Sequence, residues 1–269
     1  MATLQNKENS MNNIKLYNGD CLEVMDKLIE QGTKVDAIIT DPPYGTTTCS
    51  WDSVIPFKAM WQRLNKLIKP NGAILLFGSE PFSSALRMSN IKNYKYDWIW
   101  EKDKGTGFAF SRKQPLRKTE NISVFYKKHP IYHYKGKKLE KPIKNALPVK
   151  KSESNPCNLK NNLTTEGKRI YTTYTHKVKT NLIYFTRDAP KNAFHPTQKP
   201  VELMKYLIKT YTNENETVLD FTMGSGTTGV ACRQLNRNFI GIELDKNYYE
   251  IAKKRINGEM QLNLFEKGE

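Results

Sequence analysis

The chain has 269 residues, 38% of them hydrophobic and 26% charged, with a formal net charge of +16 at pH 7. That length suits one α/β domain with an insertion and a sizeable core, and no apolar run approaches the roughly 20 residues that a membrane-crossing helix requires. The four cysteines, Cys21, Cys49, Cys157 and Cys232, form no Cys-x-x-Cys pair and follow no apolar leader, so a reduced, cytoplasmic protein is expected rather than a disulfide scaffold.

Residues 1–13 are polar and read as a tail ahead of one catalytic domain over 14–269. Seven short apolar segments read as strands: Ile14 to Asn18, Val35 to Thr40, Ala73 to Phe77, Tyr96 to Trp100, Ile122 to Tyr126, Val218 to Phe221 and Phe239 to Glu243. Helical spacing marks Leu22 to Ile29, Phe57 to Ile68, Val201 to Thr210, Thr227 to Leu235 and Asn247 to Ile256. The second helix is expected to stop at Lys69, Pro70, Asn71, Gly72, and the third to open at Lys199, Pro200, where proline suits a first turn. Strands alternating with helices predict a mainly parallel sheet. The rhythm breaks between about 105 and 193, and within that insertion Lys135 to Lys179 is rich in Lys, Asn, Thr and Ser and reads as loop-rich. Residues 101–200 hold 23 Lys and Arg against 7 Asp and Glu, while the rest of the chain is close to neutral. Positive charge concentrated in one region suits a phosphate backbone, though a solvated lysine-rich face has the same composition. His129 and His133 stand four residues apart, yet Pro130 lies between them and no cysteine pair is near, so no metal site is expected.

Asp41, Pro42, Pro43 and Tyr44 follow the second strand directly, where open α/β sheets carry their chemistry. The prolines fix their own φ and donate nothing, so the turn offers a carboxylate and a row of carbonyls as acceptors, beside an aromatic ring. Acceptors for an amino group next to a stacking ring suit a nucleobase turned out of its helix. Near the other end, Asp220 closes a strand, and Phe221, Thr222, Met223, Gly224, Ser225, Gly226, Thr227, Thr228 and Gly229 lead into a helix. The glycines satisfy G-x-G-x-x-G in the strand, loop, helix context, and Glu243 ends the next strand, placed to accept from ribose hydroxyls. A nicotinamide or flavin dinucleotide fits that loop, as does the adenosyl half of S-adenosylmethionine. A hydride-transfer enzyme has no use for the acceptor turn, so the pair of motifs favours methyl transfer.

With both motifs in that order, the chain resembles the DNA amino-methyltransferases of the β arrangement, in which the catalytic motif precedes the cofactor loop. The resemblance implies a Rossmann-like S-adenosylmethionine-dependent methyltransferase fold with a seven-stranded, mainly parallel sheet in the order 3-2-1-4-5-7-6, the seventh strand antiparallel. It implies catalysis by Asp41 and Pro42, aiming the amino lone pair, with Pro43 shaping the turn and Tyr44 stacking on the base. It assigns S-adenosylmethionine to Asp20, Cys21, Lys199, Asp220, Thr222, Met223, Gly224, Ser225, Gly226, Thr227 and Glu243. His195, Pro196, Thr197, Gln198, Lys199 and Pro200 match the segment lining the methionine end of the donor, and Trp98 to Lys102 and Glu120 to Lys127 match strands beside the base pocket. Many relatives have proline after the aspartate of the glycine loop; here Phe221 follows Asp220, one residue out of register for the family's aromatic contact. Arg112, Lys113, Arg117 and Lys118 are the candidate contacts to duplex DNA, within a target-recognition insertion. Trp51 and Asp52, after the Thr-rich loop Thr46 to Ser50, read as part of a closing loop or as core. Asp rather than Ser at position 41 leans toward adenine N6, with cytosine N4, RNA and a non-catalytic DNA-binding protein as the alternatives. A homodimer and a cognate restriction endonuclease are the partners the resemblance adds.

Overall fold

The structure, a computed structural model, describes residues 13–45, 53–146, 171–187 and 198–259. The polar stretch 1–12, the loop Thr46 to Ser50 with Trp51 and Asp52, and the segment His195, Pro196, Thr197 lie outside the described residues. The chain divides into two compact units, one made of residues 1–133 and 181–269, the other of 134–180.

In the larger unit the elements run β1 (Ile14–Asn18), α1 (Cys21–Glu30), β2 (Val35–Thr40), α2 (Phe57–Leu67), β3 (Ile68–Gly78), α3 (Phe82–Ser89), β4 (Tyr94–Thr106) and β5 (Arg117–Phe125). The smaller unit supplies β6 (Lys135–Ala146) and β7 (Tyr171–Val178), and the larger resumes with β8 (Leu182–Tyr184), α4 (Val201–Tyr211), β9 (Thr217–Asp220), α5 (Thr227–Gln234), β10 (Asn238–Glu243) and α6 (Lys246–Asn257). The sheet order is β1-β10-β9-β2-β3-β5-β4-β8, with β5 antiparallel to both of its neighbours. Counted from β9 as the first strand, the first seven reproduce 3-2-1-4-5-7-6. The sheet has eight strands rather than seven, because Leu182–Tyr184 adds a parallel edge to β4.

Alternation along the strands divides the apolar side chains between two faces. Ile38, Ile74, Leu76 and Ile240 pack with Val24, Met25 and Leu28 of α1, Met60 and Leu64 of α2, and Phe82 and Leu86 of α3. Ile39, Ala73, Leu75, Phe77 and Phe239 pack with Leu203 and Leu207 of α4, Ala231 and Cys232 of α5, and Ala252 and Ile256 of α6. The result is a three-layer α/β/α sandwich. Helix α3 has no strong sequence signal apart from Pro81 at its N-cap and the spacing of Phe82 and Leu86.

Two boundaries depart from expectation. Helix α2 ends at Leu67 without a turn, and Lys69 to Gly72 belong to β3, where Lys69 reaches Asp36 at 2.6 Å. The stretch 105–193 is not uniformly loop-rich: β4 extends to Thr106, β5 begins at Arg117, and 134–180 carries the antiparallel pair β6/β7. Among the described residues there, Lys138, Lys141, Lys144, Thr173 and Thr175 stand exposed on a two-stranded ribbon, which needs little aliphatic content.

Candidate functional site

The carboxyl ends of β1, β2, β9 and β10 open on one cavity of about 900 Å³. It lies where the strand order reverses between β9 and β2, the switch point at which such sheets bind ligands. The turn Asp41 to Tyr44 lines one part, and Asp20, Phe221 to Ser225 and Glu243 line another.

Two threonines fasten the turn to the glycine loop. Thr40 Oγ1 donates to Asp220 Oδ1, and Thr222 Oγ1 donates to the Asp41 carbonyl at 3.1 Å. Asp220 also accepts from Thr228 Oγ1 at 2.6 Å and from the Thr222 N–H at 3.2 Å. Burial lifts its carboxyl to about 6 against the pull of those hydrogen bonds. Asp220 lines the cavity, yet its oxygens are engaged by the fold's own donors.

At the turn, Asp41 Oδ1 accepts from the Tyr44 hydroxyl and Oδ2 from Lys199 Nζ at 2.5 Å. Lys199 also lies 3.4 Å from Glu120 Oε2, and Lys102 donates to Glu120 Oε1 at 3.0 Å. Two carboxylates and two ammonium groups thus alternate through a buried row, the arrangement that makes buried charge tolerable. Burial and the Glu120 charge push the Asp41 carboxyl up against the attraction of Lys199. Glu120 is held low by its two ammonium neighbours despite burial. Burial lowers Lys199, but Asp41 and Glu120 outweigh it and keep the ammonium charged. Lys199 is expected at the donor; its ammonium instead pairs with the acceptor turn, because Pro200 starts α4 and sets the preceding residue beside β2 and β5. Among the described residues nothing donates to the carbonyl of Pro42, a buried residue. Tyr44 stacks on Phe82 at 5.0 Å, so α3 backs the ring from behind.

At the other end, Glu243 accepts the Gly224 N–H at 2.8 Å and the Asp245 N–H at 2.9 Å, and Gly224 has a φ of +53°. Asp20, which lines the cavity, caps α1 by accepting from the Leu22 and Glu23 N–H groups through one oxygen. Burial drives the Cys21 thiol to about 12, so it stays a neutral wall of the cavity. Ser225 donates to Gln198 at 3.1 Å and accepts from Arg255 at 2.7 Å. Met223 and Thr227 line the cavity, whereas Gly226 does not. A Cβ on Gly226, whose φ is +80°, would meet Ala252 at 2.9 Å, which makes it a packing glycine under α6 rather than a ligand contact.

Arg112 and Lys113 stand exposed in the turn between β4 and β5, and Arg117 and Lys118 open β5. Lys118 is tied to Glu101 at 2.8 Å. Sequence reasoning does not single out Thr40, Phe82, Lys102 or Glu120. The charged pair lies in segments matched to the base pocket, but only the β4/β5 pairing brings position 102 next to position 120 and both to Lys199.

The fit to S-adenosylmethionine rests on the Glu243 carboxylate, the glycine loop and the Asp20 carboxylate, which line one cavity. A family model described as DNA methylase matches residues 35–254. The type II methyltransferase M1.MboII of Moraxella bovis is 26% identical over 269 residues, covering 93% of this chain and 98% of that protein. The type II methyltransferase M2.LlaDCHI of Lactococcus lactis subsp. cremoris is 29% identical over 281 residues, covering 93% and 90%. Among solved structures, the M1.HpyAVI–SAM complex is 30% identical, with a TM-score of 0.60 over 90% of this chain and 99% of its own. PvuII DNA methyltransferase, described as cytosine-N4-specific, has a TM-score of 0.61 over 92% and 94% but only 14% identity, a likeness of fold alone.

Proposed function

We propose adenine N6 as the methylated atom, from the premise that this chain belongs to the DNA methylase family and is an S-adenosylmethionine-dependent DNA amino-methyltransferase. The observation that carries the choice of base is Asp41, where relatives that methylate cytosine N4 usually have Ser by the family resemblance.

The exocyclic nitrogen of adenine is a poor nucleophile because its lone pair is delocalised into the ring. Asp41 and the Pro42 carbonyl each accept one N–H, which localises the pair and aims it away from the turn. Each oxygen of Asp41 already accepts one hydrogen bond, from Tyr44 or Lys199, and a carboxylate oxygen has a second lone pair for the base. S-adenosylmethionine supplies an electrophilic methyl on a sulfonium, and the N–C bond forms as the C–S bond breaks. The methylated nitrogen is then strongly acidic, and Asp41 stands as the acceptor for its proton. Tyr44 supplies the stacking face.

In this reading Glu243 receives the ribose hydroxyls of the donor, Asp20 its adenine, and the loop from Thr222 to Ser225 its amino-acid end. The insertion over 105–193 supplies target recognition, in keeping with its positive charge. A second copy of the chain and a cognate endonuclease are proposed partners, the latter because relatives carry the name type II methyltransferase. Size-exclusion chromatography with light scattering tests the dimer.

Incubation with methyl-labelled donor and unmodified duplex DNA, followed by digestion to nucleosides, tests the base. Label is expected in N6-methyladenine. Label confined to N4-methylcytosine would overturn adenine while leaving the amino-methyltransferase intact.

A further inference from the structure

Outside the cavity, the connection between β4 and β5 carries two exposed phenylalanines, Phe108 and Phe110, 69% and 56% accessible. They are the only exposed phenylalanines among the described residues, and the phenyl ring has no polar atom to offset its exposure. Strand β5 is antiparallel to β3 and to β4, so β4 ends on the same edge of the sheet as the acceptor turn. Thr106, its last residue, lines the cavity. The aromatics therefore begin two residues beyond the cavity wall.

The turn is built rather than loose. Gly107, with a φ of +94°, starts a short 3-10 segment, Phe108–Phe110. The Phe110, Ser111 and Lys113 N–H groups donate to the carbonyls of Gly107, Phe108 and Phe110 at 2.9, 3.1 and 2.8 Å. At its base, Thr106 Oγ1 donates to the Arg117 carbonyl at 3.2 Å, and Gly105 approaches Leu116 so closely that a Cβ there would lie 2.8 Å from it. Lys104, Arg112, Lys113 and Arg117 flank the two rings along the chain and form no ion pair among the described residues. An aromatic tip flanked by unneutralised cations matches one partner chemistry, stacked bases between phosphate chains.

We propose that this turn enters the duplex beside the target, where Phe108 and Phe110 stack in the gap left by the extruded base while Arg112 and Lys113 hold the flanking phosphates. The proposal rests on the DNA methyltransferase reading and adds to it the element that opens the helix. A base turned out of a duplex leaves neighbours without a stacking partner, and an aromatic wedge replaces part of what they lose. No covalent step is involved.

The test uses duplexes carrying the methylated site, first located by sequencing modified bases in DNA from cells that express the chain. In one duplex the target base is paired; in the other it faces an abasic position and is already loosened. The F108A/F110A variant is expected to lose about tenfold or more in kcat/KM on the paired duplex, as removal of a stacking platform does, and about threefold or less on the abasic one. F108W/F110W should restore the paired substrate. Thermal melting and donor binding should match the unaltered protein, since both rings are exposed. Equal losses on the two duplexes, or no loss on either, would overturn the wedge. Failure of the unaltered protein to methylate either duplex would instead count against the methyltransferase reading.

Discussion

The cavity floor and the β4–β5 turn treat charge in opposite ways. In the floor, Asp41, Lys199, Glu120 and Lys102 alternate in sign at 2.5 to 3.4 Å, and the two lysines are 8% and 4% exposed. In the turn, Arg112, Lys113 and Arg117 are exposed and form no ion pair among the described residues. Water screens a surface cation cheaply, whereas a buried ion without a partner costs several kcal/mol. The floor is therefore a closed electrostatic device whose members depend on one another, and the turn is an open one that awaits a polyanion.

The sharpest break of that device is Asp41→Ala, which removes the proposed acceptor for the amino group. Methyl transfer is expected to fall by about a thousandfold or more, in line with the loss of a preorganised electrostatic contact. Donor affinity by calorimetry should stay near that of the unaltered protein, because Glu243 and the glycine loop are untouched. Substantial turnover in this variant would remove the proposed role of the turn.

Lys199→Met should cost less, about ten- to a hundredfold at neutral pH, and its pH profile separates positioning from mere packing. The ammonium draws the Asp41 carboxyl downward against burial and Glu120. Without it that carboxyl rises further, less of it is ionised at neutral pH, and the acid limb of kcat/KM moves to higher pH. Raising the pH should recover part of the rate. A loss of the same size at every pH would make Lys199 a structural residue only.

Much of the site is legible in the sequence, for reasons that differ by element. The acceptor turn and glycine loop each sit at a strand end within a few consecutive residues, so local sequence carries them. The strand order comes from family resemblance, since no local spacing encodes it. The row Asp41, Lys199, Glu120, Lys102 draws on four distant segments and exists only after β4, β5 and the start of α4 meet. Gly226 reads as a ligand glycine because the motif names it, yet the demand on it is the approach of Ala252, a contact 26 residues away. The ribbon β6/β7 is hidden because an exposed two-stranded pair has no buried face to impose alternation.

At the open device the effect should be milder and dependent on salt. Replacing Arg112, Lys113 and Arg117 together by Ala should flatten the slope of log K for DNA against log salt by about 0.9 for each phosphate that is no longer neutralised. Binding titrations between low and physiological salt measure this. An unchanged slope would assign those cations to solvent.

Asp220 tests the comparison from inside the floor, because it is a buried carboxylate that forms no ion pair among the described residues. Hydroxyl and N–H donors from Thr40, Thr228 and Thr222 replace the cation, and burial still lifts the group from 3.8 to about 6. A carboxyl that holds its proton more tightly in the folded state than in the unfolded one favours folding while it is protonated. That contribution is complete below about pH 4 and is lost as pH rises through about 6. Asp220→Asn, which has no proton to lose, should abolish this dependence. The Tm difference between the two proteins should therefore change across that window by a few degrees, equivalent to at most about 3 kcal/mol. Parallel melting curves from pH 4 to pH 7 would mean that the three donors match a lysine in holding the charge. The contrast between a floor whose buried charges need counter-ions and a surface whose charges need none would then fail at its own centre.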